Sequence, residues 1–425
     1  MFEAAIAMSR KWDATDAGQE IGEQIISKLK NKPKFVLLFS TIHYEKHGGF
    51  QKFLDAVNSK LPERTPVVGG TVAGFMNNYG CYTRGASALA VYSDEMDVAV
   101  GVGNNTRENP KKATLASSSE ILDKMKNSKY ATGCAINLYS SAVVGEYPIV
   151  GRRVVIDNKQ LTRFPDVMYD ISLKVFHRGV DRADEMLPVL SKELSNFQQI
   201  SGGCTDTTDQ LSNYLFFGRQ TITNALLTLA FKTSLNASVK TTFGFKETGT
   251  KMLVTKFGRD HRIIKSINGR PAREELLRIL GWPKAYLNER VFSKLFYYPI
   301  GFVNQSGVLI PQVFGLFLGE SIVVPYSIQN PEITLLSSSG KDLISSVDEH
   351  VEQCKKIKPL FSIFISCATI IVTLGAHIYE IWEKINSVYG NTPYLVGYVA
   401  GESTFSSNKE LKYGNHTFNS LVLWG

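Results

Sequence analysis

Phe35-Val36-Leu37-Leu38-Phe39 and Pro66-Val67-Val68-Gly69-Gly70 are short apolar runs separated by a polar loop and residues 49–61. Between them Phe50, Phe53, Leu54, Val57 and Leu61 follow i, i+3, i+4, i+7 spacing, which puts them on one face of a helix. The runs themselves are too short for buried helices and rich enough in valine to read as strands. After a Gly/Asn-rich loop, residues 86–92 and 98–102 read as a hairpin. The order is strand, helix, strand, then two further strands.

That order recurs. Residues 171–176 read as a strand and 183–194 as a helix, and Gln199-Ile200-Ser201-Gly202-Gly203 takes the place of the paired glycines. Strands at 223–231 and 239–243 follow. A third copy has a strand at 362–366, a helix at 376–388, the return strand Tyr394-Leu395-Val396-Gly397 and a last strand at 418–424. Each unit alone leaves an apolar helix stripe and an apolar sheet face uncovered. The expected fold is therefore α+β: mixed β-sheets packed face to face, helices on the outer faces, built from repeated units. The middle differs, with alternating runs at 252–255 and 262–267 around Gly258-Arg259-Asp260, an Asn268-Gly269 turn, and Pro271 before a helix at 273–280. A joint here gives two expected domains, 1–250 and 251–425.

Composition narrows the function classes. Across 425 residues the hydrophobic share is 44% and the charged share 20%, ordinary values for a folded chain. The net charge of +8 is spread out, with Lys355-Lys356 and Lys358, or Lys28 and Lys30, as the densest patches, so nucleic acid is not an expected partner. Five cysteines lie far apart with no paired spacing, which fits reduced thiols in a cytoplasm. Met1-Phe2-Glu3 lacks the basic start of a signal peptide. The apolar stretch 360–374 is shorter than the ~20 residues of a membrane helix and rich in β-branched residues, so it reads as a buried strand, and no membrane is expected.

Several motifs in this order resemble one family. They are Val67-Val68-Gly69-Gly70-Thr71-Val72-Ala73-Gly74 with Ala86-Ser87-Ala88-Leu89-Ala90-Val91, then Ile200-Ser201-Gly202-Gly203 and Ile267-Asn268-Gly269-Arg270-Pro271-Ala272. Tyr298-Pro299-Ile300-Gly301 and Leu335-Leu336-Ser337-Ser338-Ser339 follow. The end is the most specific: Ser366-Cys367, Val396-Gly397-Tyr398-Val399-Ala400-Gly401-Glu402, and Asn415-His416-Thr417-Phe418-Asn419-Ser420-Leu421. The chain resembles a tandem of FIST N-type and FIST C-type domains. The resemblance implies an intracellular sensory protein for a small metabolite, amino acids being one class, which signals through a separate protein partner. The family often has Gly-Arg after the strand cysteine; here Ala368-Thr369 stand there. A carboxylate ligand held by that arginine would need another donor.

The candidate ligand residues come from the repeat and from the C-terminal motif. Gly69, Gly70, Gly202, Gly203 and Gly397 are expected in turns that gather around one hollow. Gly401 lets backbone approach a ligand, Glu402 suits an ammonium group, and Asn415 and Thr417 lie in the same motif. Cys367, at the end of a strand, is either a core thiol or a nucleophile needing His377 or His416 to activate it. An enzyme using Cys367 and a protein-binding scaffold are the rival readings. No convincing catalytic set is present, and no cofactor or metal is expected. The glycine pairs lack the spacing of a phosphate loop, and residues 244–251 only imitate one, with Thr250 in the lysine place. His43, Glu45 and His47 do not have zinc-site order in what reads as a loop. Asp206 and Asp209 read as loop solvation. Of Phe216, Phe217, Phe296, Tyr297 and Tyr298, most belong to packing and some to a pocket lining.

Overall fold

The computed structural model describes residues 1–143, 146–147, 151–152, 154–157, 162–174, 178–206, 211–288 and 290–425. Its organising unit is a four-stranded sheet that occurs three times. The first copy holds strands Phe2–Ser9, Phe35–Ser40, Val67–Thr71 and Ala86–Ser93. The second holds Met96–Asn104, Thr132–Ser140, Phe197–Cys204 and Ala225–Thr233, and the third Asn236–Phe243, Phe361–Cys367, Tyr394–Phe405 and Thr417–Trp424. In every copy the strands lie side by side in the order first, fourth, second, third. The second and third run parallel, and the other neighbours are antiparallel. Parallel neighbours need a crossover, and a helix supplies it: Phe50–Lys60, Ala183–Glu193 and Ile378–Tyr389.

The period of two along each strand divides the core. Leu37 and Phe39, Ile136 and Leu138, and Ile363 and Ile365 all point into one shared cluster. Across it Phe35 stacks on Phe231 at 5.7 Å and Phe2 on Phe361 at 5.8 Å, so the three sheets face one another. The alternate residues turn outward to helices. Val36 and Leu38 meet Phe53 and Val57, and Phe364 and Val396 meet Ile381 and Ile385. This is the α+β arrangement of mixed sheets with outer helices.

Four expected elements differ. The strand placed at 171–176 belongs instead at Thr132–Ser140; residues 171–174 lie in the helix Pro165–Lys174, and 175–176 fall outside the described residues. An insertion between residues 141 and 182 separates the true strand from its crossover helix, and Tyr169 and Leu173 have helical, not alternating, spacing among the buried residues. The hairpin of 86–92 with 98–102 is not one, because Met96–Asn104 pairs with Ala225–Thr233 and opens the second copy. Likewise 239–243 opens the third copy, beside Thr417–Trp424. The stretch 360–374 is strand only to Cys367 and then the helix Ala368–Leu374.

Residues 244–347 form a further layer. Strands Lys246–Phe257 and Ile263–Ile267 pair antiparallel, and the helix Ala272–Leu280 ends at Gly281 with φ +66°, both as the sequence suggests. The layer packs on the second copy, where Phe302, Phe314 and Tyr326 share a cluster with Ile121 and Leu187. The division expected between 250 and 251 falls within Lys246–Phe257, and Phe197–Cys204 pairs with Tyr394–Phe405 across it.

The five repeat glycines lie inside strands and not in turns. Each marks a close approach. A Cβ on Gly69 would sit 1.7 Å from the Leu38 carbonyl oxygen, and one on Gly203 2.2 Å from that of Ala400. The other three join the copies in a ring: Gly70 of the first faces Cys204 of the second (2.4 Å), Gly202 of the second faces Val399 and Ile365 of the third (2.7 and 2.8 Å), and Gly397 of the third faces Phe39 of the first (2.6 Å). Overpacking such contacts costs about 1–3 kcal/mol each. Urea denaturation of Gly397→Ala should show a loss in that range, whereas Gly340→Ala, whose Cβ would meet only Leu374 at 3.5 Å, should stay near wild type. Equal stabilities would refute the close approach.

Candidate functional site

Parallel strands deliver their C-terminal ends to one side of a sheet, and ligand crevices form there. In the second copy the residues just past those ends are Ser141 and Thr205; in the third, Cys367 closes one strand and Val399, Ala400 and Gly401 lie in the other. These ends frame a cavity of about 170 Å³. The added layer closes the opposite side with Phe292, Phe296, Phe314, Leu316, Val323 and Tyr326. The wall is therefore mostly apolar, with a few polar groups set into it.

Two of those groups are carboxylates. Asp181 is buried and its Oδ1 accepts from the Ala183 amide at 3.1 Å; burial raises its pKa to about 6, with Arg262 and Arg107 pulling partly back. Asp206, only 1% exposed, is not the solvated loop residue that its sequence context suggests; Asp209 lies outside the described residues. Burial lifts Asp206 to about 7. The Ser212 and Leu211 amides lower it somewhat, but no hydrogen bond of good geometry reaches either oxygen. The Thr205 hydroxyl beside it is also buried without a partner. Among the described wall residues there is no lysine or arginine. Arg107 lies buried nearby and outside the described wall, its Nη2 donating to the Ser141 carbonyl at 2.6 Å and its Nε without a partner.

With this geometry in view, a model of the FIST N domain matches residues 4–270. The chain belongs to the FIST family. No curated protein matches it. A crystal structure of a cyanuric acid hydrolase from A. caulinodans aligns with 55% of this FIST chain and 71% of its own, at 8% identity and a TM-score of 0.25, a likeness too weak to argue from.

Of the residues singled out in the FIST motifs, the fold brings Cys367, Gly401 and Asn415 to the cavity wall. Gly401 has φ +74°, and a Cβ there would lie 2.8 Å from the hydroxyls of both Tyr139 and Tyr326, so glycine is required. Tyr139 donates to its carbonyl. Asn415 Oδ1 accepts from the Val313 amide at 3.1 Å, tying the C-terminal motif to the added layer. Glu402 and Thr417 are elsewhere: the carboxyl, fully buried, accepts from Thr417 Oγ1 at 2.9 Å, and Thr417 accepts in turn from Asn419 Nδ2. Glu402 does not line the cavity, which removes it as an ammonium site open to it; burial pushes its carboxyl well above the usual carboxylate range. Gly69, Gly70, Gly202, Gly203 and Gly397 do not line the cavity; they position the strands that do.

The Cys367 thiol lies 3.0 Å from Thr369 Oγ1, and burial together with the Glu402 charge raises its pKa. Neither histidine activates it. The His377 side chain is 75% exposed and pairs with Glu380, while both ring nitrogens of His416 are buried without a partner. His43 and His47, which form a short helix and its cap, stack ring on ring at 4.2 Å beside Trp12.

Sequence reasoning missed Ser141, Asp181, Thr205 and the burial of Asp206 in the cavity wall. One signal existed: Ser40-Thr41, Ser140-Ser141 and Ser366-Cys367 end the equivalent strand in the three copies. Misplacing the second copy's strand hid it. A buried thiol with a raised pKa reacts slowly. Native treatment with iodoacetamide at pH 7 followed by peptide mapping should leave Cys367 unlabelled, with labelling only in guanidinium; rapid native labelling would contradict this environment.

Proposed function

We propose that the protein is a stand-alone sensory protein of the FIST type, with a C-type domain following the N-type one, that binds a small metabolite and passes the signal to a separate protein partner in the cytoplasm. The observation that carries the reading is the apolar cavity between the strand ends of two copies and the added layer. A ligand there touches Thr205 and Cys367 on one side and Phe314 and Tyr326 on the other. Binding would thus favour arrangements in which the two sides are closed on it, by as much as the affinities for open and closed forms differ. Membrane anchorage is not part of the proposal: among the described residues no helix is long and apolar enough to cross a membrane.

On this reading the protein is not an enzyme. Support comes from Cys367, the one nucleophile at the wall weighed for that role, whose pKa is raised by burial and which neither His377 nor His416 activates. A ligand at 100 times its Kd would stabilise the fold by about 2.7 kcal/mol. A thermal-shift screen of small metabolites should therefore find compounds that raise the melting temperature. Ala142→Leu, which grows a side chain from the wall into the cavity, should remain folded and lose that shift. No stabilising compound, or a shift that survives in Ala142→Leu, would overturn the proposal.

A further inference from the structure

The charged groups of the described cavity wall have one sign. Asp181, Asp206 and the Thr205 hydroxyl stand in the described wall, and lysine and arginine do not. The two carboxylates are not equivalent. Asp181 already has the Ala183 amide and the fields of Arg107 and Arg262. Asp206 has no well-formed hydrogen bond, only the weaker influence of the Ser212 and Leu211 amides, and Glu45 acts on it with like charge. A buried carboxylate left this way is costly unless something pairs with it. Beside it the Thr205 hydroxyl is equally buried and equally without a partner.

We propose that the cavity takes a small apolar amine, a compact alkyl or aryl body with one ammonium group and no carboxylate, whose N–H donors are accepted by Asp206 and Thr205. This rests on the ligand-binding reading above and narrows it. An ammonium offers three donors and a positive charge, which satisfies both orphaned groups at once. An amino acid would bring its own carboxylate into a wall whose described residues include two carboxylates and no lysine or arginine. A neutral ligand would leave Asp206 unpaired. Size agrees: a cavity of about 150 Å³ holds benzene, so 170 Å³ suits a ligand of six to nine heavy atoms, on the order of a benzene ring with a short amine tail.

Calorimetric titration of the full chain with isopentylamine, isopentanol and leucine separates the possibilities, because the three share one branched alkyl body. The proposal expects the amine to bind at least about 10-fold more tightly than either of the others, the ratio typical of a charge-assisted hydrogen bond. Asp206→Asn, if its melting temperature shows it folded, should bring amine and alcohol to the same affinity. Equal binding of amine and alcohol by the unaltered protein, or tighter binding of leucine, would overturn the amine proposal and leave the cavity reading standing. Persistence of the full amine preference in Asp206→Asn would overturn the role of Asp206. Binding of none of the three, and of no other compound of that size, would overturn both readings.

Discussion

The structure depends on a ring of close approaches: Gly70 against Cys204, Gly202 against Val399 and Ile365, and Gly397 against Phe39. Each copy of the four-stranded unit presses a strand without a side chain onto the next copy, and the third returns to the first. Only that spacing lets Leu37, Ile136 and Ile363, each from the middle strand of its copy, reach one shared cluster. The sheets then have buried inner faces, and the helices cover the outer ones. No single copy could bury both faces of its sheet, so the assembly of three is the stable object.

The site is a consequence of where that ring breaks its regularity. In the first copy the strand ends at Thr41 and Val72 open on a shallow cleft with His43 and Arg84. In the second and third copies the equivalent ends are roofed by the added layer, and Phe292, Phe296 and Phe314 turn an open crevice into a largely apolar cavity. The same layer supplies the Val313 amide that holds Asn415, so the roof and the C-terminal motif are bonded directly. Gly401 is tied in from below by the Tyr139 hydroxyl. On the proposed reading, ligand binding and the fit of the added layer on the repeats would be one equilibrium viewed from two sides.

How much of this was legible in the sequence follows from the range of the signals. Phe35–Ser40 and Val67–Thr71 with their helix were readable because the unit is short and its periods are clean. The copy number and the α+β class followed from recurrence. The second copy failed at Thr132–Ser140 because an insertion moved the strand far from its helix, and local pattern cannot see across that gap. The glycines were noticed for the right reason, small size, but given the wrong setting: a paired glycine reads as a turn, and only the packing of a neighbouring copy shows that it admits Phe39 or Cys204. Asp206 was misread for a related reason. A carboxylate among Thr and Asp residues looks solvated, whereas Asp206 is buried in the wall of a cavity that it shares with residues more than eighty positions away, such as Phe292 and Phe314. Cys367, Gly401 and Asn415 stood out because they sit in the three short segments of the C-terminal motif.

The central claim is that the strand ends of the second and third copies and the added layer enclose a dry, accessible apolar space. Crystals held under xenon test it without knowing the ligand, because xenon enters empty apolar cavities and avoids watered polar ones. The account predicts xenon density bounded by Val399, Phe314 and Val323. Side chains collapsed into that volume, or ordered water filling it with xenon excluded, would contradict it.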